Sequence, residues 1–136
     1  KGLLNKDINV EGYNQYEFLS AELFDIFKIV DFTISRAGAN ALYEFLALNI
    51  PAILVPLGTN QSRGDQIENA KFFEKNGFAL VIQEDDFKDL ELTKVDDFYN
   101  SLNDYKNAMI KYKDEKKVIN NVEDFYNKIL KEVGGK

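Results

Sequence analysis

The sequence predicts an α/β fold, a parallel sheet with flanking helices and a helical tail. Three observations carry this expectation. Short apolar runs alternate with amphipathic stretches through the middle of the chain. Glycine and proline fall at the boundaries between them, where they stop or turn regular structure. The last third then shifts to a Lys/Asp/Asn-rich composition with apolar residues at helical spacing.

The elements follow in order. Residues 16–27 (YEFLSAELFDIF) read as a helix start, with Ser20 a candidate N-cap. Val30 to Ser35 (VDFTIS) is a short apolar run ending in polar residues, the pattern of a buried strand. Ala39 to Asn49 (ANALYEFLALN) sets Leu42, Phe45, Leu46 and Leu48 at helical spacing. Pro51 stops that helix, because proline cannot supply a backbone N–H. Ala52 to Leu57 (AILVPL) is a second strand, and Pro56 marks either an edge position or an exit into a loop. Residues 58–63 are polar loop. Gly64 to Asn76 is helical, with Ile67, Ala70 and Phe73 on one face and Gly77 as its C-terminal stop. Phe78 to Ile82 is a third strand. Strand, helix, strand, helix, strand is the signature of a parallel sheet with right-handed crossovers. In the tail, Val95, Phe98, Tyr99, Leu102, Tyr105, Met109 and Tyr112 predict one amphipathic helix. Val118, Val122, Phe125, Tyr126, Ile129 and Leu130 predict a second, both packed on the sheet.

Composition narrows the chemistry. The 136 residues suffice for one domain and contain neither cysteine nor histidine. Disulfides, thiol nucleophiles, imidazole bases and the usual zinc ligands are therefore excluded. No metal or other cofactor is expected, and no apolar run approaches a membrane span. Net charge is −6, which argues against a grip on nucleic-acid phosphates. Residues 1–86 hold 7 basic and 13 acidic side chains, whereas residues 87–136 hold 10 of each. An anionic ligand on the first part thus needs local donors rather than a global field.

Those donors are legible at two strand exits. In an open parallel sheet, ligands sit beyond the carboxyl ends of the strands. The stretch SRAGANALYE (residues 35–44) lies at one such exit and SRGDQIENA (62–70) at the next; each holds one of the chain's two arginines, Arg36 and Arg63. At the first, Gly38 permits a tight turn or close ligand approach. The amides of Gly38, Ala39, Asn40 and Ala41 would be unpaired helix-end donors suited to a phosphate. Glu44, about one turn further in, reads either as a solvated helix carboxylate or as an acceptor for two hydroxyls such as a ribose diol. Asp65 and Gln66 open the second helix; Asp65 is either a cap or dipole partner or, with Gln66, a reader of sugar hydroxyls. Arg36 is either a structural clamp or a phosphate contact.

Taken together these motifs resemble the carboxy-terminal, donor-binding domain of the MurG family. The matching pieces are S-R-A-G at 35–38, Glu44, P-A-I-L-V-P-L at 51–57 and D-Q-x-x-N-A at 65–70. The resemblance implies a Rossmann-like, partial GT-B carboxy-terminal domain. It also implies an inverting glycosyltransferase that moves N-acetylglucosamine from UDP-N-acetylglucosamine to lipid I, giving lipid II in peptidoglycan synthesis. By that resemblance Glu44 binds the ribose hydroxyls, the Gly38–Ala41 backbone faces the diphosphate, and Asp65 and Gln66 read the donor sugar. Leu19, beside Phe18, matches the stretch whose backbone meets uracil. Arg36 matches a motif arginine, as phosphate contact or scaffold. Ala41 departs from members with a hydroxyl there, so backbone amides must suffice. Lys1-Gly2 resembles the end of the family's G-K-G turn. Residues 1–136 are therefore expected to be one truncated nucleotide-sugar-binding domain, with 87–136 its helical tail. No catalytic residue is expected in this chain, and the piece alone is expected to be inactive. The acceptor domain, the catalytic base and contact with the inner face of the cytoplasmic membrane belong to the full-length enzyme. Two alternatives share the motifs: a donor-binding subunit of a two-component N-acetylglucosaminyltransferase, and another GT-B nucleotide-sugar enzyme.

Overall fold

The structure, a computed structural model, describes residues 8–58 and 64–115. Its centre is a three-stranded parallel sheet in the order β1-β2-β3, from Thr33–Ser35, Ala52–Leu54 and Ala79–Val81. Thr33 pairs with Ala52 and Ala52 with Ala79, so all three strands start level and end level. The predicted strands are thus all present, trimmed to three residues each. Pro56 lies just past β2, which is the central strand; its role is the exit into a loop, not an edge.

Strand alternation assigns the two faces. Ala52, Leu54 and Ala79 face helices α2 (Ala39–Leu48) and α3 (Asp65–Lys75), in a core with Leu42, Leu46, Phe73 and Phe78. Ile53 and Ile82 face the other way, onto Phe98 and Leu102, with Phe32 and Leu80 packed alongside. Asn49 ends α2 in the left-handed conformation (φ 56°), a stop that asparagine tolerates better than most side chains. Gly77 ends α3 at φ 76°, and Phe78 N donates to Phe73 O across that turn at 2.9 Å.

The helix before β1 is short. Helix α1 spans Ala21–Phe27, with Ser20 at the N-cap position but making no side-chain cap bond. Its Phe27 meets Phe45 edge-on at 5.7 Å. Helix α4 (Glu84–Phe87) was not foreseen: four residues long and rich in carboxylates, it carries too little periodicity to register.

The first tail helix corrects the sequence expectation. The run from Val95 to Tyr112 is two helices, α5 (Leu92–Asn100) and α6 (Leu102–Glu115), broken at Ser101. The backbone at Ser101 leaves the helical region (φ −107°, ψ 10°), and the apolar residues of the run do not all serve one face. Phe98 and Leu102 pack with Ile53, whereas Met109 and Tyr112 join Phe73 and Phe78 on the other side. Beyond the break α6 reaches both clusters, with Leu102 and Tyr105 in one and Met109 and Tyr112 in the other. A Cβ built on Gly77 would touch Ala108 at 3.6 Å, which fixes how closely α6 passes. The predicted second tail helix, and residues 59–63 of the polar loop, fall outside the described residues.

Candidate functional site

The carboxyl ends of β1 and β2 release two loops on the same edge, and polar side chains hold the first of them in place. Asn69, on α3, is buried and donates from Nδ2 to Ala37 O at 2.8 Å. Gln66, one turn earlier, accepts at Oε1 from Leu57 N at 2.9 Å and from Ala37 N at 3.3 Å. Two converging N–H donors set that amide with its oxygen inward. Arg36 donates from Nη1 to Val55 O at 3.2 Å and from Nη2 to Glu84 Oε1 at 2.7 Å. Ser35 Oγ donates to Arg36 O at 2.8 Å. The loop after β1 is therefore held from α3, from β2 and from α4 at once.

What this scaffold presents is the start of α2. Leu42 N donates to Gly38 O at 3.1 Å, the first rung of that helix. The preceding amides, from Gly38 to Ala41, donate to none of the described residues, and Gly38 supplies no side-chain cap. They are N–H groups without a partner among the described residues, at the positive end of a ten-residue helix, the arrangement that attracts anions. Gly38 has φ −72°, which any residue adopts, and a Cβ there would meet nothing within 4 Å. The turn does not require glycine; the open space above it leaves room for another molecule to approach the backbone. Gly58, at the start of the second loop, also has nothing within 4 Å of a built Cβ.

Glu44 is half-buried on α2 and forms no hydrogen bond or ion pair with a described residue. Its neighbour Tyr43 has its phenol pushed up from the ordinary value, first by burial and then by the Glu44 charge. Asp65, the first residue of α3, is exposed with its carboxylate unengaged by described groups. Leu19 is half-buried immediately before α1, and no described hydrogen bond ties it to the loops. Thus Arg36, the Gly38–Ala41 backbone, Asp65 and Gln66 gather at one edge. Glu44 sits further along α2, and Leu19 is on a separate segment.

Beside this edge, on the α4 side of the sheet, lies a hollow of about 300 Å³ lined by Ile34, Ser35, Arg36, Val55, Glu84, Phe87 and Lys88. A larger cavity of about 590 Å³ sits between β3, α4, α5 and the start of α6, and none of the predicted site residues lines it. No group of three or more acidic side chains among the described residues could hold a metal ion.

Sequence reasoning missed Asn69 and Glu84. Asn69 stands three residues after Gln66, which puts both on one face of α3, so the D-Q-x-x-N spacing carried the signal. Glu84 lies 48 residues from Arg36, and nothing local announces that pairing.

Parallel strands with helix-end amides and polar side chains converging at their carboxyl edge define a Rossmann-like domain of the GT-B kind. The chain belongs to the glycosyltransferase family 28 C-terminal domain family, which matches residues 4–129. It is 44% identical over 131 residues to the UDP-N-acetylglucosamine–N-acetylmuramyl-(pentapeptide) pyrophosphoryl-undecaprenol N-acetylglucosamine transferase of Staphylococcus haemolyticus, covering 96% of this chain and 36% of that protein. The transferase of the same name from Staphylococcus carnosus is 58% identical over 85 residues, 62% of this chain and 24% of its own length. That named transferase 2 from Bacillus cereus is 43% identical over 129 residues, 91% of this chain and 37% of its own. The chain thus spans about a third of the length of the curated relatives it matches over most of its own residues. No solved structure matches it. These findings bear out the resemblance to the MurG family.

Proposed function

We propose that residues 1–136 form one nucleotide-sugar-binding unit, the donor-binding part of a glycosyltransferase that uses UDP-N-acetylglucosamine. The observation that carries this reading is the row of amides from Gly38 to Ala41, without partners among the described residues and with open space at Gly38, at the carboxyl edge of a parallel sheet. The relatives' names support the donor and point to a lipid-linked acceptor, lipid I, with lipid II as product.

In this reading the amides donate to the diphosphate oxygens and stabilise the UDP leaving group as charge develops on it. Glu44 accepts from the two ribose hydroxyls. Asp65 and the Gln66 amide nitrogen face the sugar, while Gln66 Oε1 keeps both loops in place. The backbone at Leu19 meets the base. Arg36 acts at the diphosphate edge, held by Val55 O. Displacement at the anomeric carbon is inverting, with the acceptor hydroxyl deprotonated by a base in another domain of the full-length enzyme. That enzyme works at the cytoplasmic face of the membrane; no helix among the described residues is long and apolar enough to cross one.

The test is calorimetric titration of UDP-N-acetylglucosamine, with GDP-mannose as control. Uridine-selective binding that weakens about ten- to a hundred-fold in Glu44→Ala is expected, the scale of hydrogen bonds to a charged group. Equal affinity for the two nucleotides would overturn the assignment.

A further inference from the structure

We infer that Glu84 is an exchangeable counter-ion for Arg36, holding the place that an anionic group of the ligand takes on binding, and that it thereby tunes affinity at this edge. The inference rests on the nucleotide-binding reading above and adds a residue to it.

Three features lead there. First, the contact is close, 2.7 Å from Nη2 to Oε1, yet both side chains keep over two-fifths of their surface in water, 47% and 43%. An ion pair so exposed is worth little to the fold, so exchanging its anion is cheap. Second, Arg36 keeps its position without Glu84. Nη1 donates to Val55 O at 3.2 Å, and the backbone on either side is fixed through Ser35 Oγ, Asn69 and Gln66. The guanidinium has further N–H groups to offer. Third, there is room. The 300 Å³ hollow runs along Arg36 and Glu84 and includes Lys88, while the α2 amides begin two residues beyond Arg36, at Gly38. In this inference an anionic group entering the hollow beside Arg36 competes there with Glu84.

The sign of the effect separates this role from a purely positioning one. If Glu84 competes with the ligand, Glu84→Gln tightens anion binding by about two- to five-fold, the range that an exposed charge contact spans. If Glu84 instead holds Arg36 in place, the same change weakens binding. Asp85→Asn supplies the control, since it removes the same charge from the adjacent, exposed residue. The experiment titrates UDP, and separately inorganic pyrophosphate, into the whole chain and into Glu84→Gln, Asp85→Asn and Arg36→Gln/Glu84→Gln, with circular dichroism confirming each fold. Tightening in Glu84→Gln, little change in Asp85→Asn and loss of the gain in the double variant are expected. Equal gains in Glu84→Gln and Asp85→Asn would reduce the effect to bulk charge and overturn the inference. Unchanged or weaker UDP binding in Glu84→Gln would overturn it while leaving the nucleotide reading intact. If UDP fails to bind the parent chain, the nucleotide reading falls; the same ordering with pyrophosphate then sustains the counter-ion role, and no pyrophosphate binding ends it.

Discussion

The two faces of the sheet are built differently. On the α2 and α3 side, Leu46, Phe73, Phe78 and Met109 are fully buried, and Phe78 stacks edge-on against both Phe73 and Tyr112 at 5.2 Å. On the other side only Ile53, Ile82, Phe98 and Leu102 form a buried cluster, and Ile34 is 48% exposed in the same row as Ile53. The dense face holds the helices whose N-termini frame the candidate site. The thin face holds the Arg36–Glu84 pair and both cavities. A parallel strand is ordinarily covered on both sides, so the contrast separates what stabilises this chain from what it leaves open for contact.

The strongest test of that division is truncation of one aromatic on each face. Phe73→Ala should cost about 4 kcal/mol and Phe98→Ala about 3, both read by urea unfolding. Equal costs would mean that the two faces stabilise the sheet alike. A smaller effect is expected where the dense face meets the site. Asn69→Ala leaves the buried Ala37 carbonyl without its 2.8 Å donor, at about 1–3 kcal/mol. It should also weaken nucleotide binding, because the loop carrying the amides loses a tie. Full affinity in a folded Asn69→Ala variant would separate the scaffold from the site.

The smallest effects are in alkaline solution. Tyr105 on the thin face and Tyr43 on the dense one both have phenols raised above the ordinary value, chiefly by burial. A raised folded-state value means that the unfolded chain loses its proton first. The associated stability is whole below about pH 10 and declines as the pH rises through the folded values. Lys113 works in the opposite direction. Burial lowers its ammonium below the usual value, so its contribution rises with pH just beneath that value. Tyrosinate absorbance followed alongside unfolding should show Tyr105→Phe losing part of the alkaline decline. An identical decline in the variant would remove Tyr105 from the account.

Much of this architecture was readable from local pattern. Pro51 and Gly77 marked helix ends because their chemistry acts on the adjoining backbone, and apolar runs of four to six residues located all three strands. The start of α2 was legible for the same reason, since amides near a glycine at a strand exit follow from order along the chain. What stayed hidden depends on distant partners. The break at Ser101 was hidden because apolar spacing runs through it, with Phe98, Leu102 and Tyr105 packed in one cluster against Ile53. Arg36 was left open between clamp and contact, and only folding brings Glu84 to it across 48 residues. Gln66 was read for what it could offer a ligand, whereas its oxygen is occupied by two backbone N–H groups.

That shared oxygen makes the mouth of the site mechanically simple. Ala37 and Leu57 belong to different loops, yet both N–H groups end on Gln66 Oε1. Neither Ala37 nor Leu57 can swing away without giving up a bond to α3, so the backbone just after β1 and just after β2 is tied to one point. A pull on the backbone at Ala37 would therefore be felt at Leu57 through the same side chain. Contacts made by opposite ends of one molecule would then reinforce each other without any larger rearrangement.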